Sequence, residues 1–162
     1  FHNNARTYAG RPHHFVGLLG VGTYDAWDRL QKVISVDSLE VAKNHAISAR
    51  FDEISQLEDG WFEGAGSAPE ANALSSVSEG LIANYPDKLP LPLIVPTQNG
   101  NLLLEWNAEG DPSLDIDLTG LQASFHAFDA SGEDMERDFN LDALGWQQLF
   151  TFLGENIKAR QA

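Results

Sequence analysis

An α+β domain, two-layered, with an antiparallel meander of four to five strands packed against helices, is the fold class this sequence predicts. Three observations carry it. Residues 41–84 contain two stretches of apolar residues at helical spacing. Residues 93–139 contain short runs of alternating polarity separated by turn signals. Residues 142–153 return to helical spacing. Helices, then a run of strands, then a helix is the order of an α+β chain and not of repeated β-α-β units. The 162 residues suffice for one sizeable core.

The elements follow in order. Residues 1–24 hold four glycines (Gly10, Gly17, Gly20, Gly22) and His2, His13 and His14. They read as a loosely ordered arm with a short element at 15–19, which leaves 25–162 as the single domain. Residues 25–34 read as a short helix with Trp27, Leu30 and Ile34 on one face. Ser38 is placed to cap a helix over 41–57, whose stripe is Val41, Ala42, Ala46, Ile47, Phe51 and Ile54. Gly60 would stop it. The stretch DGWFEGAGSAPE (59–70) has three glycines in seven residues, a loop that Trp61 and Phe62 are expected to anchor to the core. Ser67 is expected to cap the next helix, with Pro69 in its first turn and Glu70 three residues on. Leu74, Val77, Leu81 and Ile82 are its apolar stripe, and it should end near Asn84, before Pro86.

Pro86, Pro90, Pro92 and Pro96 suit an extended connection leading to an edge strand. Asn99-Gly100 is a strong hairpin signal and joins a strand at 93–97 to one at 101–107. AEGDP (108–112), Gly120 and DASGED (129–134) then separate strands at 113–119, 121–128 and 135–139. Asn140 or Asp142 caps a last helix with Leu144, Trp146, Leu149, Phe150, Phe152 and Leu153 as its apolar residues.

Charge narrows the function classes. The net charge is -14. Residues 1–50 hold six Lys/Arg and four acids, whereas residues 51–162 hold four Lys/Arg and twenty acids, so the second stretch alone is near -16. Such a surface repels phosphates, so no nucleic-acid partner is expected, and no nucleic-acid motif is present. It suits another protein as partner, a basic one, or it serves solubility alone. The absence of cysteine removes disulfides, thiolate metal sites and cysteine nucleophiles. No apolar run is long enough for a bilayer, so no membrane partner is expected. With no basic-then-apolar leader at its start, the chain is expected in the cytoplasm.

Alternation assigns faces to the strands. Leu102, Leu104 and Trp106 share one face, opposite Leu103 and Glu105. Leu114, Ile116 and Leu118 oppose Asp115 and Asp117. Leu121, Ala123, Phe125 and Ala127 point inward, and Gln122, Ser124 and His126 outward. Glu105, Asp115, Asp117 and His126 are therefore a candidate cluster. Three carboxylates and an imidazole can hold a divalent metal or supply an acid/base pair. The plainer reading, a solvated sheet face, explains the same residues. His2, His13 and His14 are a weaker metal candidate, and His45 reads as a surface or helix-packing residue. Gly66-Ser67 is a cap and not a nucleophile elbow. GVG at 20–22 lacks the lysine and hydroxyl of a phosphate loop, and no cofactor is expected. Trp61 and Phe62 are either a plug under their loop or, with Asp115 and Asp117, part of a partner-binding surface.

From Asp59 to Phe139 the chain resembles an uncharacterised group of small acidic bacterial proteins often met on mobile elements. Their pattern is a GWxGxG loop, a helix, a proline-rich link and a PTxxGxLxLEW hairpin. The matching residues are Gly60, Trp61, Gly64, Gly66, Pro96, Thr97, Gly100, Leu102, Leu104, Glu105 and Trp106, and Phe62-Glu63 depart from it. The resemblance implies the helix-plus-meander fold and a bacterial, cytoplasmic origin, and brings no catalytic residue. The expected function is a non-enzymatic, small acidic protein-binding domain: an immunity, antitoxin-like or inhibitor component of a mobile element. The alternatives are a metal-assisted enzyme on the acidic sheet face and a structural or oligomerisation domain.

Overall fold

Two paired strands come first in the computed structural model, which describes residues 16–24, 30–41 and 43–158. β1 (Val16–Tyr24) and β2 (Leu30–Val41) run antiparallel. This corrects two expectations. The second part of the supposed arm is a strand, and so are residues 30–34 of the supposed helix. Val33, Ile34 and Val36 are β-branched, and their preference for extended backbone outweighs the helical spacing of Leu30 and Ile34. Residues 1–15, with His2, His13 and His14, and residues 25–29, with Trp27, lie outside the described residues. Twelve residues of β2 face nine of β1, and register shifts at Leu19/Gly20, Val21/Gly22 and Thr23/Tyr24 absorb the difference. Glycine at two of these shifts lets the backbone leave the pleat.

Ser38, expected as a helix cap, pairs with Leu19 inside β2. The first helix among the described residues, α1, runs Lys43–Ile54. The chain divides into two compact units, residues 1–49 and 50–162, with the boundary inside α1, where the sequence suggests one after residue 24. Helix α2 (Ala71–Asn84) starts one turn later than Ser67 would place it. Glu70 is its N-cap: the carboxylate accepts from Ala73 N (2.7 Å) and Asn72 N (3.1 Å). Those backbone donors, Ala73 first, hold the Glu70 carboxyl below its ordinary value. Ser67 donates its N–H to Gln98 O (2.8 Å). Leu74, Val77 and Leu81 are buried, as the spacing requires.

The alternating segments form a five-stranded antiparallel meander in the order β3 (Leu93–Pro96), β4 (Leu102–Glu105), β5 (Ser113–Asp117), β6 (Gln122–Phe128), β7 (Asp134–Asn140), and the sheet is open. Gly100, at φ 81°, makes the β3–β4 turn, with Thr97 N donating to Asn101 O (2.9 Å). β3 is an edge strand with little to offer a further strand. Arg50 Nε donates to the Ile94 carbonyl (2.8 Å), and Pro96 has no N–H.

Helix α3 (Ala143–Asn156) is capped by Asp142, whose Oδ1 accepts from Gly145 N (2.8 Å). One face of the sheet (Leu102, Leu104, Leu114, Ile116, Ala123, Phe125, Phe139) is buried together with Trp146, Leu149, Phe150 and Leu153 of α3. Phe152 meets Phe125 edge-on, with centroids 5.0 Å apart. The other face of the sheet is solvated. Two apolar residues depart from expectation. Leu121 lies in the turn before β6 at φ 48° and is 38% exposed, so the strand's inward set begins at Ala123. Leu144, in the first turn of α3, is 63% exposed.

Trp106, just past β4, is buried to 3% exposure. Its indole N–H reaches Pro90 O (2.9 Å) and the Tyr85 hydroxyl oxygen (3.1 Å), and Tyr85 donates to Pro90 O (2.6 Å). The polar edges of both rings are thus satisfied at the proline-rich link, as buried Trp and Tyr require.

Candidate functional site

The solvated face of the sheet is a grid whose rows are set by strand register. One row runs Leu93, Glu105, Ser113, His126, Glu136. The next runs Val95, Leu103, Asp115, Ser124, Asp138. A third holds Asp117, Gln122 and Asn140. Glu105, Asp115, Asp117 and His126 therefore share a face. Glu136 and Asp138 join them from β7. Sequence reasoning passed over these two, although Met135, Arg137 and Phe139 alternate with them and could have shown it.

The same register stands each of the three candidate carboxylates opposite uncharged residues. Opposite Glu105 stands Ser113, opposite Asp115 stands Ser124, and opposite Asp117 stands Gln122. Adjacent strands lie about 4.8 Å apart, and same-face residues about 6.8 Å apart along a strand. Metal ligands must converge to about 2.0–2.6 Å from one point. Among the described residues no three His, Asp or Glu side chains are grouped to hold a metal ion. His126 lies 3.4 Å from Glu136 Oε1 and 3.8 Å from Asp115 Oδ2, all on the exposed face. Such solvated pairs contribute little to stability. Asp138 accepts from the Ser124 hydroxyl (2.6 Å), and Asp117 accepts from Thr119 N (2.9 Å). These bonds fix the direction of the carboxylates. At one end of the face Thr97, Asn101, Asp115, Asp117, Gln122 and Ser124 line an open depression of about 280 Å³.

Trp61 and Phe62 do not plug the core as expected. Trp61 is half-buried and Phe62 is 42% exposed. They line a second hollow of about 340 Å³ with Leu57, Val95, Pro96 and the Arg50–Glu53 pair. Val95 also begins the row that leads through Leu103 to Asp115. The aromatic pair and the acidic grid are thus neighbouring parts of one surface. No sequence signal distinguishes an outward aromatic in a glycine loop from an inward one, and the link through Val95 depends on the β3–β4 register.

Fold and site together define an open-faced α+β domain with an acidic sheet surface. Among the described residues no helix is long and apolar enough to cross a membrane. No family model, curated protein or solved structure matches the chain.

Proposed function

We propose that this chain is a small acidic protein-binding domain, not an enzyme, whose solvated sheet face docks a basic protein. One observation carries the reading: Glu105, Asp115, Asp117, Glu136 and Asp138 stand on one open face, with His126 the only basic side chain among its described residues. Carboxylates arrayed this way attract a cationic surface over distance and set its orientation on contact. Among the described residues no three His, Asp or Glu side chains are grouped to hold a metal ion. The resemblance of residues 59–139 gives this the form of a cytoplasmic immunity, antitoxin-like or inhibitor component of a bacterial mobile element.

The test uses a partner captured on the immobilised protein at low salt. Its association rate is then measured from about 50 to 300 mM NaCl, over which screening shortens from beyond 10 Å to well under it. The rate is expected to fall at least about tenfold. A salt-independent rate counts against the acidic face as the docking surface.

A further inference from the structure

Phe62 is held away from the core by a braced loop. Gly60 N donates to Gly66 O (2.7 Å), Gly64 N to Gly60 O (3.0 Å), and Phe62 and Ala65 exchange two backbone bonds (3.0 and 2.8 Å). Gly60, Gly64 and Gly66 take positive φ, and so does Glu63 at 52°, a conformation that residues with side chains seldom adopt. The Trp61 indole donates to Ser67 O (3.2 Å) and meets the Phe62 ring edge-on at 5.6 Å. A Cβ on Gly66 would sit 3.1 Å from Trp61 Nε1. The braced backbone thus sets the two rings with Leu57, Val95 and Pro96 around an open hollow of about 340 Å³.

We infer that this hollow is the anchor point for the basic partner of the docking reading, on which the inference rests. It takes one apolar side chain from a segment flanked by lysine or arginine. Charge selects that occupant. Glu58, Asp59 and Glu63 flank the rings in sequence and are exposed, while Arg50, the cation at the hollow, is paired with Glu53 at 2.7 Å. A second copy presenting this same surface would set those exposed acids against its own and be repelled. An anionic lipid surface is disfavoured for the same reason. A cationic flank is drawn to these exposed acids, and Val95 and Leu103 continue the surface to Asp115. The rigid aromatic pair then acts as the desolvated centre, and the acids as a polar surround.

Nuclear magnetic resonance titration of the full chain with three end-blocked peptides tests this. The peptides are Lys-Lys-Leu-Phe-Lys-Lys, Glu-Glu-Leu-Phe-Glu-Glu and Lys-Lys-Ser-Ser-Lys-Lys. The first is expected to shift the Trp61 indole N–H and the amides of Leu57 and Val95. Phe62→Ala, at an exposed position, should weaken that binding about tenfold or more. Equal shifts with the acidic peptide overturn the basic occupant. Shifts at Asp115 and Ser124 from both lysine peptides, with the hollow silent, overturn the anchor and leave the acidic-face reading standing. Silence at both places overturns the two together.

Discussion

The Trp146 indole of α3 occupies the space where a side chain on Gly80 of α2 would stand. The two helices meet there with no room for a Cβ on Gly80. Replacing Gly80 by alanine sets two effects against each other. Helix propensity favours alanine by up to about 1 kcal/mol. Overpacking a close contact costs about 1–3 kcal/mol. The indole is buried and stacked on Phe150 at 5.9 Å, so it has no free direction to move. Gly80→Ala should therefore lower the urea midpoint, with a net loss of up to about 2 kcal/mol. A gain in stability would mean that the indole can swing aside.

Tyr85 makes stability depend on pH at the alkaline end. Burial, the largest cause, pushes its hydroxyl well above the ordinary value of 10.0, and the bond from Trp106 offsets only part of this. The unfolded chain releases this proton near pH 10, and the folded chain holds it to higher pH. The contribution is fully present below about pH 10 and is lost as pH rises through the folded value. Urea midpoints between pH 8 and 11.5 should fall more steeply for the wild type than for Tyr85→Phe. Near pH 7 the same variant should cost only about 1 kcal/mol, because Trp106 keeps its bond to Pro90 O. Parallel pH curves would contradict the buried hydroxyl.

Glu70 has the opposite sign. Its carboxyl is depressed in the folded state, so its contribution is present above the ordinary value of 4.5 and fades as pH falls through the folded value. Glu70→Ala should be less stable than the wild type at pH 7, with the difference narrowing in acid below pH 4.5. Ser67→Ala, at the residue the sequence suggests as cap, should leave the start of α2 unchanged. Circular dichroism and urea titration of the two variants separate the assignments. A Ser67→Ala loss matching that of Glu70→Ala would move the cap back.

How far the sequence could be read depended on how sharply each residue's surroundings select a conformation. Helix α3 was legible because Trp146, Leu149, Phe150 and Leu153 repeat at helical spacing behind Asp142, a good cap. β5 and β6 were legible because Leu114, Ile116, Ala123 and Phe125 alternate strictly with polar residues. β2 was misread because Leu30 and Ile34 fit a helical face as well as a strand, and pairing with β1 decides between them. The cap of α2 was misplaced because Ser67 and Glu70 are both competent cap residues, and the bond from Ser67 N to Gln98 O settles the choice. The acidic face was visible as alternation. Its rows were not, because which carboxylate stands beside which follows from strand register.

That the solvated sheet face is the docking surface is tested most directly by charge reversal. Asp115 and Asp117 are exposed, so the double variant Asp115→Lys/Asp117→Lys should fold with unchanged helix content. Wild type and variant, immobilised side by side, are exposed to the same lysate at low salt, and the retained proteins are quantified. The expected result is a basic protein held by the wild type and absent from the variant. Identical retention on both surfaces would contradict the assignment.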